Sequence, residues 1–104
     1  MKTEPNFPLK RLRRTLDLAQ LEMAKRMGLS LRPYQQLELK PDKIKRRHVR
    51  LAESVALDIA IDRKNPELAP VNVRKKAIEL TRLIIGKNLQ QNALKVADIL
   101  LDQG

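Results

Sequence analysis

The stretch Leu12-Arg13-Arg14-Thr15-Leu16-Asp17-Leu18-Ala19-Gln20-Leu21-Glu22-Met23-Ala24-Lys25-Arg26-Met27-Gly28-Leu29-Ser30, continued by Leu31-Arg32-Pro33-Tyr34-Gln35-Gln36-Leu37-Glu38, decides the fold. Its apolar residues fall three and four apart, which is the period of a helix with one buried face. The spacing predicts three short helices, at about 8–17, 20–27 and 31–38. Leu9, Leu12 and Leu16 form the inner face of the first, and Leu21, Ala24 and Met27 that of the second. Pro8 suits a first helical turn. Gly28 can take the left-handed conformation that ends a helix. Ser30 is placed to cap the third helix, and Pro33 sits in its first turn, where no backbone donor is needed. Two short helices joined by a tight glycine turn are the minimal helix-turn-helix, in which one helix enters a DNA major groove and the other braces it. The same pattern also occurs in helical bundles that bind nothing.

Outward from this core the chain stays helical. Lys40-Pro41-Asp42 breaks the pattern, and a longer helix is expected at 46–62, with Val49, Ala52, Val55, Ala56 and Ile59 inside. Residues 63–71, with Pro66 and Pro70, read as a linker. Two amphipathic helices are expected at 72–85 and 89–102, parted by Gly86-Lys87-Asn88. Residues 1–7 read as a loose arm. The fold class is therefore all-α: a compact helix-turn-helix bundle of four to five helices over 8–62, followed by a two-helix extension over 72–104.

The 104 residues carry a net charge of +10. Residues 1–50 hold 14 Lys/Arg against 5 Asp/Glu, whereas residues 51–104 hold 8 against 7. A basic excess confined to one half of the chain suits a polyanionic partner, although a solvated basic surface is the plainer reading. Phe7 and Tyr34 are the only aromatic residues, too few for base stacking on single strands. There is no cysteine, hence no disulfide and no thiolate site. No signal peptide and no membrane span are read, so a cytoplasmic protein is expected. The single histidine, His48, stands in a basic run without catalytic or metal-ligand spacing and is expected to face solvent. No enzyme, cofactor or metal site is expected.

The order of residues, beyond their period, resembles the phage-repressor-like (Xre/Cro) helix-turn-helix family over about residues 8–60. The matching positions are Leu12-Arg13, Gln20 and Ala24, Gly28-Leu29-Ser30, and Leu37-Glu38. The resemblance implies a small side chain at Ala24 where the motif helices meet, with Leu21, Leu29, Tyr34 and Leu37 filling the space between helices. It implies an internal ion pair, Arg13 with Glu38, that ties the first helix to the end of the recognition helix. Leu31, Arg32 and Gln36 fall on base-reading positions: Arg32 suits guanine, Gln36 adenine, and Leu31 a thymine methyl. Arg32 on a phosphate is the alternative. Gln20, Gln35, Lys43, Arg46 and Arg47 fall on or beside backbone-contacting positions. Lys10, Arg11, Arg14, Lys40, Lys45 and Arg50 extend the basic patch.

The sequence departs from the family pattern at Asp17, where a glycine turn is usual, at Ala19, which lacks a capping hydroxyl, and at Lys40-Pro41, where a glycine usually follows the glutamate. A single helix-turn-helix covers few base pairs, so such proteins act as dimers on two half-sites. Leu80, Ile84, Ala93, Val96, Ala97 and Leu100 are the expected dimerisation residues of the tail; packing on the chain's own first domain is the alternative. The expected function is sequence-specific binding of double-stranded DNA as a transcriptional repressor, homodimeric on a palindromic operator, in bacteria or phage. The competing reading is the antitoxin of a toxin–antitoxin pair, with the tail holding a toxin or a co-regulator.

Overall fold

The computed structural model describes the backbone of residues 6–102 and the side chains of residues 6–91. The chain is all-α, with no strand among the described residues. It divides into two compact units, residues 1–70 and residues 71–104.

The first unit holds α1 (Leu9–Thr15), α2 (Gln20–Arg26), α3 (Leu31–Leu39) and α4 (Arg46–Asp62), with 3-10 turns at Pro41–Lys43 and Pro66–Leu68. Its core is one cluster. Leu9 and Leu16 come from the first helix and its end, Met23, Ala24 and Met27 from the second, and Tyr34 and Leu37 from the third. Ala52, Val55, Ala56 and Ile59 come from α4, and Ile44 from the loop before it. Leu12 and Val49 pack against this cluster, as their spacing predicts, and so does Leu29, as the family resemblance implies. Leu21 does not: it is exposed, and Met23 takes the inward position on α2 instead. A seven-residue helix has barely two turns, so a small rotation about its axis exchanges which apolar residue faces in.

Phe7, expected in a loose arm, packs against the core; residues 1–5 of that arm lie outside the described residues. The expected linker 63–71 is also structured. Asn65 accepts the Glu67 backbone N–H, the turn Pro66–Leu68 packs on α4, and Leu68 reaches the core.

Three helices end in the same way. At the ends of α1, α2 and α4, residues Asp17, Gly28 and Lys64 have φ of 56°, 74° and 54°. At each end the left-handed residue and its successor donate backward to helix carbonyls: Asp17 to Arg14 and Leu18 to Arg13, Gly28 to Lys25 and Leu29 to Ala24, Lys64 to Ile61 and Asn65 to Ala60. This is the Schellman arrangement. The glycine missing at position 17 is thus replaced by aspartate in the same left-handed conformation, which Asp tolerates better than most residues. Ser30 occupies the N-cap position of α3 but makes no side-chain cap.

The second unit corrects the expected pair of tail helices. α5 runs unbroken from Val71 to Asp102. Gly86 lies within it, with nothing within 4 Å of where a Cβ would stand. One interior glycine costs about 1 kcal/mol. Breaking the helix there would leave up to eight backbone groups without helical partners, so continuity wins. The consequence is geometric. Ile84 and Leu89, which lie on either side of the expected break, are five residues apart on one helix, and so point roughly 140° apart. Of the expected dimerisation residues, Leu80 and Ile84 are exposed; the side chains of Ala93, Val96, Ala97 and Leu100 lie outside the described residues. Among the described residues no helix is long and apolar enough to cross a membrane.

Candidate nucleic-acid interface

α3 turns one side inward and one side out. Tyr34 and Leu37 are buried, whereas Arg32, Pro33, Gln36 and Leu39 are exposed, and Leu31, Gln35 and Glu38 lie half-buried between them. Arg32 and Gln36 are four residues apart and so share one face of the helix. Neither makes a side-chain hydrogen bond or ion pair among the described residues. Leu31 is less prominent than expected for a base-reading residue, because it is partly buried.

A carboxylate-centred network fixes the inner side of α3. Glu38 Oε2 accepts Arg13 Nε at 2.7 Å, and Glu38 Oε1 accepts Arg13 Nη2 at 3.0 Å, a two-pronged ion pair. The Tyr34 hydroxyl donates to Oε2, and Gln20 Nε2 donates to Oε1 at 3.1 Å. Arg13 Nη1 donates to the Leu18 carbonyl at 2.9 Å, tying the pair to the α1–α2 turn. The side chains of Arg13 and Glu38 are only 13% and 4% exposed. Burial by itself raises the Glu38 pKa, but the hydrogen bonds from Arg13, Tyr34 and Gln20 outweigh it and hold the carboxyl below its ordinary value. The hydrogen bond to Glu38 raises the Arg13 pKa against the opposing effect of burial. Burial, then the adjoining Glu38 carboxylate, pushes the Tyr34 hydroxyl far above its ordinary value, so it stays a donor.

Gln20 and Gln35, expected on the DNA backbone, belong to this network. Gln35 Nε2 donates to Gln20 Oε1 at 3.1 Å, and Gln20 in turn donates to Glu38. Each amide keeps one N–H beyond these bonds. Together with Lys10, Glu38 and Leu39 they line an open hollow at the surface. Leu39, exposed and part of that hollow, carries no signal in the sequence that sets it apart from a core leucine.

The basic loop after α3 is pinned from within. Ile44 is buried, and its flanking residues Lys43, Arg46 and Arg47 are exposed. Burying the one aliphatic residue of this segment fixes where the cations beside it project. The start of α4 has a reciprocal cap: the Lys45 N–H donates to His48 Nδ1 at 2.9 Å, and the His48 N–H donates to the Lys45 carbonyl at 2.9 Å. His48 is therefore buried and structural, not solvent-facing. Its ring sits at the third helical position, where a capping-box side chain normally returns to the N-cap backbone. Burial, then the charges of Arg47 and Lys45, lower its pKa and favour the neutral ring that can accept this bond. Lys40, Lys43, Arg46, Arg47 and Arg50 make no side-chain hydrogen bond or ion pair among the described residues.

The arrangement thus combines a rigid helix with exposed Arg32 and Gln36, and a pinned loop with unpaired cations after it. Compared with known proteins, the chain matches no family model, no curated protein and no solved structure.

Proposed function

We propose that this chain is a sequence-specific regulator of transcription, of the phage-repressor-like type. It binds double-stranded DNA in the cytoplasm and acts as a homodimer that represses by occupying a palindromic operator. The observation that carries this reading is the pairing state of α3. Its inner residues are tied down by the Arg13–Glu38 network, while Arg32 and Gln36 stand exposed and uncommitted on one face. A rigid helix with free, shape-specific donors is what major-groove reading requires. Lys43, Arg46 and Arg47 follow as phosphate contacts, which position the helix without reading sequence. Gln20 and Gln35 act chiefly by holding α3 and offer their remaining amide hydrogens to the backbone.

The test is a titration of labelled DNA from upstream of the chain's own gene, with scrambled competitor, at two salt concentrations. The expected result is a preference of about 10³ over scrambled DNA, with protection of two half-sites about one helical turn apart. Equal binding to both DNAs with a steep salt dependence would leave only the phosphate component and overturn the sequence-reading role.

A further inference from the structure

We infer that α5 seats against α5 of a second copy of this chain, antiparallel, along the seam formed by Val71, Ile78, Ile85 and Leu89. The unit that contains α5 is a single helix, and a lone helix cannot bury its own apolar residues. These four side chains are 56%, 51%, 51% and 63% exposed. Residues 71, 78 and 85 recur every seven, and Leu89 follows four later. A seven-residue period keeps side chains on one line only where two helices wind around each other with a left-handed twist.

The other described stripe, Val73, Ala77, Leu80 and Ile84, lies roughly 135° away. It stops at Ile84, because Lys87 and Gln91 follow on the same face. The seven-residue seam is therefore the one that continues past the middle of the helix. Four half-exposed aliphatic side chains offer roughly 300 Å². That is well short of the ~800 Å² that each partner buries in a stable interface, so a loop or short peptide laid across them would not hold. A helix as long as α5, about 48 Å, covers the seam and its flanking rows together. A second copy supplies such a helix with the matching period.

Charge sets the direction. Residues 71–91 carry five Lys/Arg and one Glu, whereas residues 92–104 carry one Lys and two Asp. Arg82 lies within the seam, four residues after Ile78 and three before Ile85. A parallel pair would set Arg82 against Arg82 and basic half against basic half, whereas an antiparallel pair lays the basic half over the acidic end. The inference supplies the second copy that a palindromic operator requires. It is tested without DNA, so it and the DNA-binding reading fail separately.

Sedimentation equilibrium of the full chain should give twice the monomer mass. Ile85→Asp should weaken self-association by ~100-fold or more, since each dimer loses two buried isoleucines. Leu83→Asp is the control, because it loses at least as much helix propensity as Ile85→Asp on an exposed position outside both stripes; it should leave the mass unchanged. Direction is read by oxidation, since the chain has no cysteine of its own. Ile85→Cys, near the middle of the helix, should cross-link two chains. Val71→Cys should not, because an antiparallel pair holds the two ends far beyond the ~7 Å reach of a disulfide. A monomer at concentrations up to ~100 μM, equal effects of Ile85→Asp and Leu83→Asp, or a disulfide at position 71 would overturn the proposal.

Discussion

Two residues carry most of the ionic consequence of this fold. Glu38 is a nearly buried carboxylate that accepts four hydrogen bonds. Arg13→Ala removes two of them and the compensating charge. We expect a loss of about 3 kcal/mol, the lower range for breaking a buried pair, measured as a fall in the urea midpoint. The pKa of Glu38 is lowered by folding, so its stabilisation is complete above the unfolded carboxyl value of about 4.3 and is lost as pH falls through the lower folded value. His48 is the second residue. Its pKa is also lowered by folding, but here the neutral form is the favoured one. Stability is unaffected well above the unfolded value of about 6.5. It declines as pH falls below that, because the unfolded chain takes up a proton that the folded ring refuses, and it levels off below the folded value. His48→Gln keeps an acceptor for the Lys45 N–H, as glutamine does in a capping box, and removes the titration. Unfolding midpoints measured from pH 8 to 5, a window above the Glu38 titration, should fall for the natural chain and stay flat for the variant.

At the scale of the element, helix ends and helix continuity decide the architecture. Lys64 takes φ 54° at the end of α4, a conformation that costs a residue with a Cβ roughly 1 kcal/mol relative to glycine. Lys64→Gly should therefore raise the stability of the first unit by about that amount, less the entropy that glycine adds to the unfolded chain; thermal unfolding followed at Tyr34 fluorescence reads it. Gly86 presents the opposite case. It is helical and open around its Cβ position, so Gly86→Ala should stabilise α5 by about 0.5–1 kcal/mol, seen as increased helicity near the thermal midpoint. A fall in helicity would mean that the helix bends or is closely approached at this point.

For the whole molecule, the proposed DNA-binding function assigns base reading to α3 and phosphate contact to the loop after it, and this division can be tested. Arg32→Ala should relax discrimination at one base position at a cost of about 1–3 kcal/mol. Lys43→Ala should weaken binding evenly across sequences and reduce the slope of log affinity against log salt by about 1. Binding curves on a panel of single-base operator variants at several salt concentrations separate the two effects. If both substitutions lower affinity evenly, Arg32 is a phosphate contact and sequence is read elsewhere on the exposed face of α3.

Apolar period and helix breakers were enough for the all-helical fold and for the first-unit helices to within two residues at each end, whereas the pairing of Arg13 with Glu38 was expected only from the resemblance to the phage-repressor-like family. Period, proline and glycine act locally, and Gly28 announces its left-handed turn. The tertiary structure alone decided the rest. Asp17 and Lys64 turn as glycine would because the packing of their neighbours demands it, and neither residue type signals that. Leu21 faces out because the rotation of a two-turn helix is set by its partners, not by its own pattern. His48 turns inward, and Gln20 and Gln35 turn toward Glu38, because a buried acceptor or an open N–H draws the nearest polar group wherever the fold brings it. The tail illustrates the same limit, since a glycine with polar neighbours reads as a break, yet the hydrogen bonds on either side of Gly86 carry the helix through, and that continuity determines which apolar residues share a face.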